Sequence, residues 1–178
     1  MYKPDSLRAT LLASVPQLRR DHERLLIFID EGSVRCTAAT SLSFEYGYSL
    51  QIILTEFPGS PDAVMLPLLG WVREHQSELL ANLDKSADGI KFEADILDKT
   101  KVDLSITLPL TERVVVERQA DGSYSVTHVT EPQYTPYEAI DGPMRYFADG
   151  ELLAEWQPAP APDGMFLEVP FPRKAGDG

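Results

Sequence analysis

The chain has 178 residues, 43% of them hydrophobic, enough to bury one core and too many for a wholly disordered protein. Sixteen Lys and Arg stand against 28 Asp and Glu, a net charge of −12, and no basic cluster exceeds the pair Arg19-Arg20, which disfavours a surface that wraps nucleic acid. The single cysteine, Cys36, allows no intrachain disulfide and fits a reducing cytoplasm, and no signal peptide or membrane-length apolar run is visible.

Pro4, with Asp5 or Ser6 as cap, predicts a first helix with Leu7, Leu11, Leu12, Val15 and Leu18 on one broad face. Pro16 is expected to kink or end it near Val15, because proline removes a hydrogen bond and clashes with the preceding turn. Residues 25–29 form a continuous apolar run closed by Asp30-Glu31-Gly32; a short buried strand and an extended packed segment both fit it. Near Leu42 the pattern changes to strict alternation. Phe44, Tyr46, Tyr48, Leu50, Ile52 and Leu54 point one way, which predicts a long strand with one face on a core.

Pro58-Gly59-Ser60-Pro61 ends that strand, and a second helix follows with Ser60 or Asp62 as cap. Val64, Leu68, Trp71, Val72 and Leu79 mark its apolar face. Pro67 lies inside the pattern, so the regular helix is expected to begin close to it and to fray past Asn82 into Asp88-Gly89. Ile90, Phe92, Ala94 and Ile96 then alternate with charges, Asp98-Lys99-Thr100 turns, and residues 102–110 alternate again, which reads as a hairpin. Residues 114–118 continue as strand, Asp121-Gly122 turns, and 124–129 returns. Pro132, Pro136, Gly142 and Pro143 mark a linker, and Asp149-Gly150 is a hairpin turn between two further apolar segments.

These elements predict an α+β fold, a mainly antiparallel sheet with helices packed on one face, plus a C-terminal hairpin arm. The expected division is a core domain over 1–130, a Pro-rich linker over 131–143, the hairpin arm over 144–157, and a Pro/Gly-rich tail over 158–178.

A search for chemistry finds no phosphate loop, dinucleotide loop, nucleophile elbow, HExxH helix or CxxC pair. His22, His75 and His128 are far apart and read as surface or boundary histidines. Cys36 reads as a small buried thiol, with a nucleophile as the rarer alternative. Asp95, Asp98 and Asp103 flank one turn; a solvated acidic turn is the plainer reading and a cation site the sharper one. Glu45 with Glu56 or Glu93 would be the carboxylate pair of a sugar hydrolase. Tyr46, Tyr48 and Trp71 form either a core or an aromatic ligand platform. No catalytic, cofactor or metal residue is assigned. The distinctive feature is the arm, where Tyr146, Phe147, Leu152, Leu153 and Trp156 gather. An isolated two-stranded hairpin is marginal in water and needs another surface, either its own domain or a neighbouring subunit. These five are the candidate interface residues.

Several collinear segments carry a resemblance: Lys3-Pro4-Asp5-Ser6-Leu7, Ser41-Leu42-Ser43-Phe44-Glu45, Trp71-Val72-Arg73-Glu74, Leu108-Pro109-Leu110-Thr111-Glu112-Arg113, and Gly150-Glu151-Leu152 followed by Trp156. In this order the chain resembles the phage tail-completion protein R (GpR) family of temperate contractile-tailed phages, over roughly residues 1–157, and departs from it in the extension from Pro158 onward. The resemblance implies a structural virion protein and no enzyme, with a tail-terminator-like fold. By analogy with tail terminators it implies a ring of six copies that caps the tail tube and prepares the tail for head joining. Expected partners are other copies of itself, the tail tube protein, the sheath and the head–tail connector or neck proteins. DNA would pass an acidic lumen without specific binding, and neither a cofactor nor a membrane is involved. The expected location is the neck-proximal end of the virion tail, assembled in the host cytoplasm. The competing readings are a neck or head–tail connector protein, a small bacterial binding module, and a carboxylate-dependent hydrolase.

Overall fold

Alternation of apolar and polar residues dictates most of the architecture. The computed structural model describes residues 1–37, 41–81, 89–98, 100–131, 142–148 and 150–157. The long alternating segment becomes β2 (Phe44–Phe57), and the run from Val102 becomes β4 (Val102–Arg118), one unbroken 17-residue strand. They pair antiparallel through the middle of the sheet. β1 (Leu25–Cys36) lies outside β2. β3 (Lys91–Ile96) and β5 (Tyr124–His128) both pair with β4, giving the order β1-β2-β4-β3 with β5 also on β4. Every pairing is antiparallel. The hairpin arm forms a separate two-stranded sheet, β6 (Met144–Ala148) with β7 (Glu151–Trp156).

The helices cover one face of the main sheet. α1 (Lys3–Ser14) and α2 (Pro16–Arg20) are separated at Val15, where Pro16 was expected to interrupt them. α3 (Asp62–His75) packs beside α1, and α4 (Glu78–Ala81) follows after a break at Gln76. Leu7, Leu11, Val15 and Leu18 are fully buried against rows formed by Leu54 and Leu104, Ile52 and Ile106, and Leu50 and Leu108. This is the α+β fold the periodicity predicts.

Four local expectations are corrected. α1 begins at Lys3 with Tyr2 at its cap position, and neither Asp5 nor Ser6 caps it; a distant carboxylate takes the first N–H groups, as described below. α3 begins at Asp62 and runs through Pro67, because the ring, buried in the core, offsets the one hydrogen bond it forfeits. Asp62 does not cap this helix; Pro61 holds the cap position, and Ser60 Oγ, one residue earlier, accepts the Asp62 N–H at 3.3 Å. The apolar run at 25–29 is only the first part of a 12-residue strand, since a bulge between Ile29 and Glu31 absorbs Asp30 and lets pairing continue to Cys36.

Most of the predicted linker (132–141), the segment 82–88 where the second helix was expected to fray, Lys99, Asp149 and the residues from Pro158 onward lie outside the described residues. The turn glycines that are described behave as the sequence requires: Gly122 and Gly150 have φ of +88° and +83°, open only to residues without a Cβ penalty.

One edge of β4 is shared unequally. β3 pairs with it up to Thr107 and β5 pairs with it from Val114. Between them lies Pro109, which has no N–H and is tolerated in a long central strand because that stretch has a strand on one side only. The side chain of Gln76, at the end of α3, closes the interval: its Oε1 accepts the Thr111 N–H at 3.1 Å.

Candidate functional site

Two features stand out above the plain core: a buried polar cluster under α1, and the hairpin docked on α1 and α3. The cluster centres on Glu112. Along β4, residues 102, 104, 106, 108 and 110 are apolar and face the helices; Glu112 occupies the next such position and is fully buried. One carboxylate oxygen accepts from the Tyr48 hydroxyl at 2.5 Å and the Lys3 N–H at 3.2 Å, and the other from the Tyr2 N–H at 2.9 Å. His128 Nδ1 lies 3.1 Å from it. A carboxylate from mid-sheet thus does the work of a helix cap, satisfying donors that the first turn of α1 leaves without partners.

Burial by itself would raise the Glu112 pKa, but the bonds from Tyr48, Tyr2 and Lys3 outweigh it and hold the carboxyl below its ordinary value. The same contact, with burial as its larger cause, pushes the Tyr48 hydroxyl far up, so it stays a donor at any physiological pH. Lys3 is fully buried beside this centre. Its ammonium donates to Gln76 Oε1 at 2.8 Å and to Glu131 Oε1 at 3.0 Å. Gln76 Nε2 reaches Glu78 and Thr111. His75 stands over Trp71 at 4.8 Å between ring centroids, and burial, with help from the Lys3 charge, lowers its pKa to about 4. These partners are groups of the chain itself, so the cluster fastens α1, α3 and β4 together.

The hairpin is placed on its own domain: β7 lies along α1 and α3. Ala154 is fully buried, and Leu153 packs against the core. Tyr146 and Trp156 stack at 4.7 Å. The Trp156 indole rests on Gly70 of α3 so closely that a Cβ there would sit 3.2 Å from it. Of the five candidate interface residues, Leu153, Tyr146 and Trp156 are therefore turned at least partly toward the domain. Phe147 and Leu152, register partners in the hairpin, are left exposed, Phe147 at 61%.

The other candidate sites dissolve into ordinary structure. Tyr48 and Trp71 are buried and Tyr46 packs against the core, so the aromatic trio is no ligand platform. Trp71 Nε1 donates to Ser6 Oγ at 3.0 Å. Glu45 pairs with Arg35, and Glu56 with Lys101 and Arg24. By register Glu45 and Glu93 lie eight positions apart along the sheet, roughly 27 Å at about 3.4 Å per residue. Two carboxylates so far apart cannot flank one scissile bond.

Asp98 accepts from Thr100 and Lys101 as a turn residue. Asp103 accepts the N–H of Glu56, steadying that residue at a φ of +47°. Among the described residues no three His, Cys, Asp or Glu side chains gather to hold a metal, and no helix is long and apolar enough to cross a membrane. Cys36 is exposed at the end of the edge strand β1, a correction to the expected buried thiol: the strand outruns the helical layer that would have covered it. His22 is exposed, as expected, while His75 and His128 are boundary residues committed to the polar cluster.

The family model for P2 phage tail completion protein R (GpR) matches residues 1–132, a span that holds all five strands of the main sheet and the whole polar cluster. Tail completion protein R of Escherichia phage P2 is 40% identical over 156 residues, covering 88% of this chain and 99% of that relative. No solved structure matches the chain.

Proposed function

The chain belongs to the P2 phage tail completion protein R (GpR) family, and from that premise we propose that several copies close into a ring on the last ring of the tail tube. Tail completion is its structural role in the phage tail. The finer reading is a terminator at the neck-proximal end that caps the tube, reaches the sheath, and prepares the tail to meet the head–tail connector. The observation that carries it is the identity to a tail completion protein along nearly that protein's whole length.

Physical features support this reading. A ring subunit has to be rigid, and a five-stranded sheet whose helical layer is locked by a buried carboxylate is rigid. It needs a surface for a neighbour, and the exposed face of the 144–157 hairpin, with Phe147 and Leu152, supplies one in addition to the 1–130 core. A net charge of −12 suits a lumen that DNA traverses without adhering. The role requires no catalytic group.

The test is the mass of the purified protein by light scattering, alone and with preassembled tail tubes. A monomer that becomes a ring at tube ends is the expected result. A protein that ignores tubes but binds the connector complex would replace the terminator with a neck component.

A further inference from the structure

The two long edges of the main sheet match each other. Among the described residues, no strand pairs with the outer side of β1 or of β3. Counting strand to strand, β1 runs parallel to β4, and β3 runs antiparallel to it. A second copy set with its β3 beside β1 therefore continues the antiparallel pattern, with its helices on the same face.

The registers also fix which residues share a row. Ile27, Ile52, Ile106 and Phe92 form one row on the helix side; Phe28, Gln51, Thr107 and Lys91 form the next, on the opposite side. Joining the edges row by row sets Phe92 of one copy beside Ile27 of the other. It also sets Lys91 over the Phe28 ring. Apolar thus meets apolar on the helix side, and a cation meets an aromatic ring on the other.

Both edges now carry apolar area that a lone subunit should hide. Phe92 is 61% exposed although it lies on the core-facing side of its strand; Leu26 and Phe28 are 48% and 45% exposed. Native edge strands avoid such display unless something covers it. The charges on β3 do not prevent pairing, because Lys91, Glu93 and Asp95 point to the face left in solvent. β1 begins at Leu25 and its bulge follows Ile29, so the paired stretch sets residues 25–28 of β1 against residues 91–94 of β3.

We propose that β1 of one copy pairs antiparallel with β3 of the next, head to tail, making the seam between subunits of the assembly. This rests on the ring reading above and specifies its contact. A head-to-tail contact closes into a ring when its rotation permits, whereas an edge pairing with itself would stop at a dimer.

The test uses the full chain with Cys36→Ser, carrying Phe28→Cys and Lys91→Cys together or singly, treated with a short bis-maleimide on tail tubes. The double variant is expected to give a covalent ladder of multimers, and each single variant only monomer. Dimers from Phe28→Cys alone would overturn the proposal in favour of β1 pairing with β1. A ring seen by light scattering without a ladder would place the seam elsewhere and leave the ring reading standing. Absence of both ring and ladder would sink both. Phe92→Glu gives an independent check, since its exposure leaves the monomer melt unchanged. It should weaken assembly on tubes at least tenfold, whereas Tyr124→Glu, exposed on β5, should not; equal effects of the two would overturn the seam.

Discussion

Replacing Glu112 with alanine should cost more than any other single change in the buried cluster. The substitution removes the acceptor of the Tyr48 hydroxyl and of the Tyr2 and Lys3 N–H groups. Tyr48 and Lys3 are shut away from water, and a buried donor left without a partner costs roughly 1–3 kcal/mol. Two such donors give about 2–6 kcal/mol, which brackets the ~3–5 kcal/mol typical of removing one partner from a buried charged group. The expected loss is therefore about 3–5 kcal/mol, or a fall of roughly 6–20 °C in melting temperature for a chain of this size. Urea unfolding followed by circular dichroism measures it. A double-mutant cycle with Tyr48→Phe isolates the pair. Tyr48→Phe alone should cost about 1–2 kcal/mol, and close to nothing once Glu112 is gone, because the hydroxyl then has no bond to lose. A loss below about 1 kcal/mol for Glu112→Ala, or the same cost for Tyr48→Phe in both backgrounds, would refute the assignment of Glu112 as the fastening point.

Acid should destabilise the protein in two stages. His75 has a folded pKa of about 4 against 6.5 unfolded, so the unfolded chain takes up the proton first and stability declines as pH falls from about 6.5 toward 4; His75→Gln should flatten that part of a plot of unfolding midpoint against pH. Glu112 is held below its ordinary value, so its contribution is intact above the usual carboxylate pKa near 4.3 and disappears as pH falls through the lower folded value, a step that Glu112→Ala should remove. Gly70→Val should lift Trp156 off α3, at about 1–3 kcal/mol of overpacking, with a red-shifted tryptophan emission; an unchanged spectrum would count against the docked hairpin. Phe147→Ser, at an exposed site, should shift the melt by less than about 0.5 kcal/mol while reducing binding to tail tubes, and unimpaired binding would remove the hairpin face from the interface.

The long strands were legible because alternation sustained over ten or more residues has one interpretation, and β2 and β4 follow it. Breaks in a pattern were harder to judge. Pro16 separates two helices, whereas Pro67, with the same local chemistry, sits inside one; the difference lies in the tertiary packing of its ring, which no local rule contains. Asp30-Glu31-Gly32 looked like a strand end and is a bulge, because pairing with β2 overrides the local signal. The apolar alternation of β3 is real, yet every residue of that strand is exposed: periodicity reports which face a residue takes and not whether anything lies above it.

The polar cluster was missed although one clue was present. Glu112 is the lone charge at a core-facing position of β4 between Leu110 and Val114, and such a break in an apolar series asks for partners. Those partners, Tyr2, Lys3, Tyr48 and His128, are scattered over more than 120 residues of sequence, from position 2 to position 128, and no spacing rule connects them. The hairpin residues were visible as a group, but which of them turn inward depends on Gly70, whose lack of a side chain makes room for an indole 86 residues away in sequence.

The tie between Lys3 and Glu112 also has a bearing on the order in which the chain acquires its shape. The two ends of that contact are 109 residues apart, and joining them closes a loop whose entropy cost grows to about 4 kcal/mol on the (3/2)RT ln n scale. During synthesis the first helix leaves the ribosome long before its anchor exists. Until β4 has emerged past residue 112, the N–H groups of α1 lack their acceptor and the Lys3 ammonium has no buried seat to occupy. A nascent or truncated chain therefore holds α1 undocked, and only a chain translated at least through Glu131 seats it completely. Hydrogen exchange on a chain stopped after Pro109 should find α1 unprotected where the full chain protects it. Residues made early are among the last to settle, and their settling reports that Glu112 and Glu131 are in place.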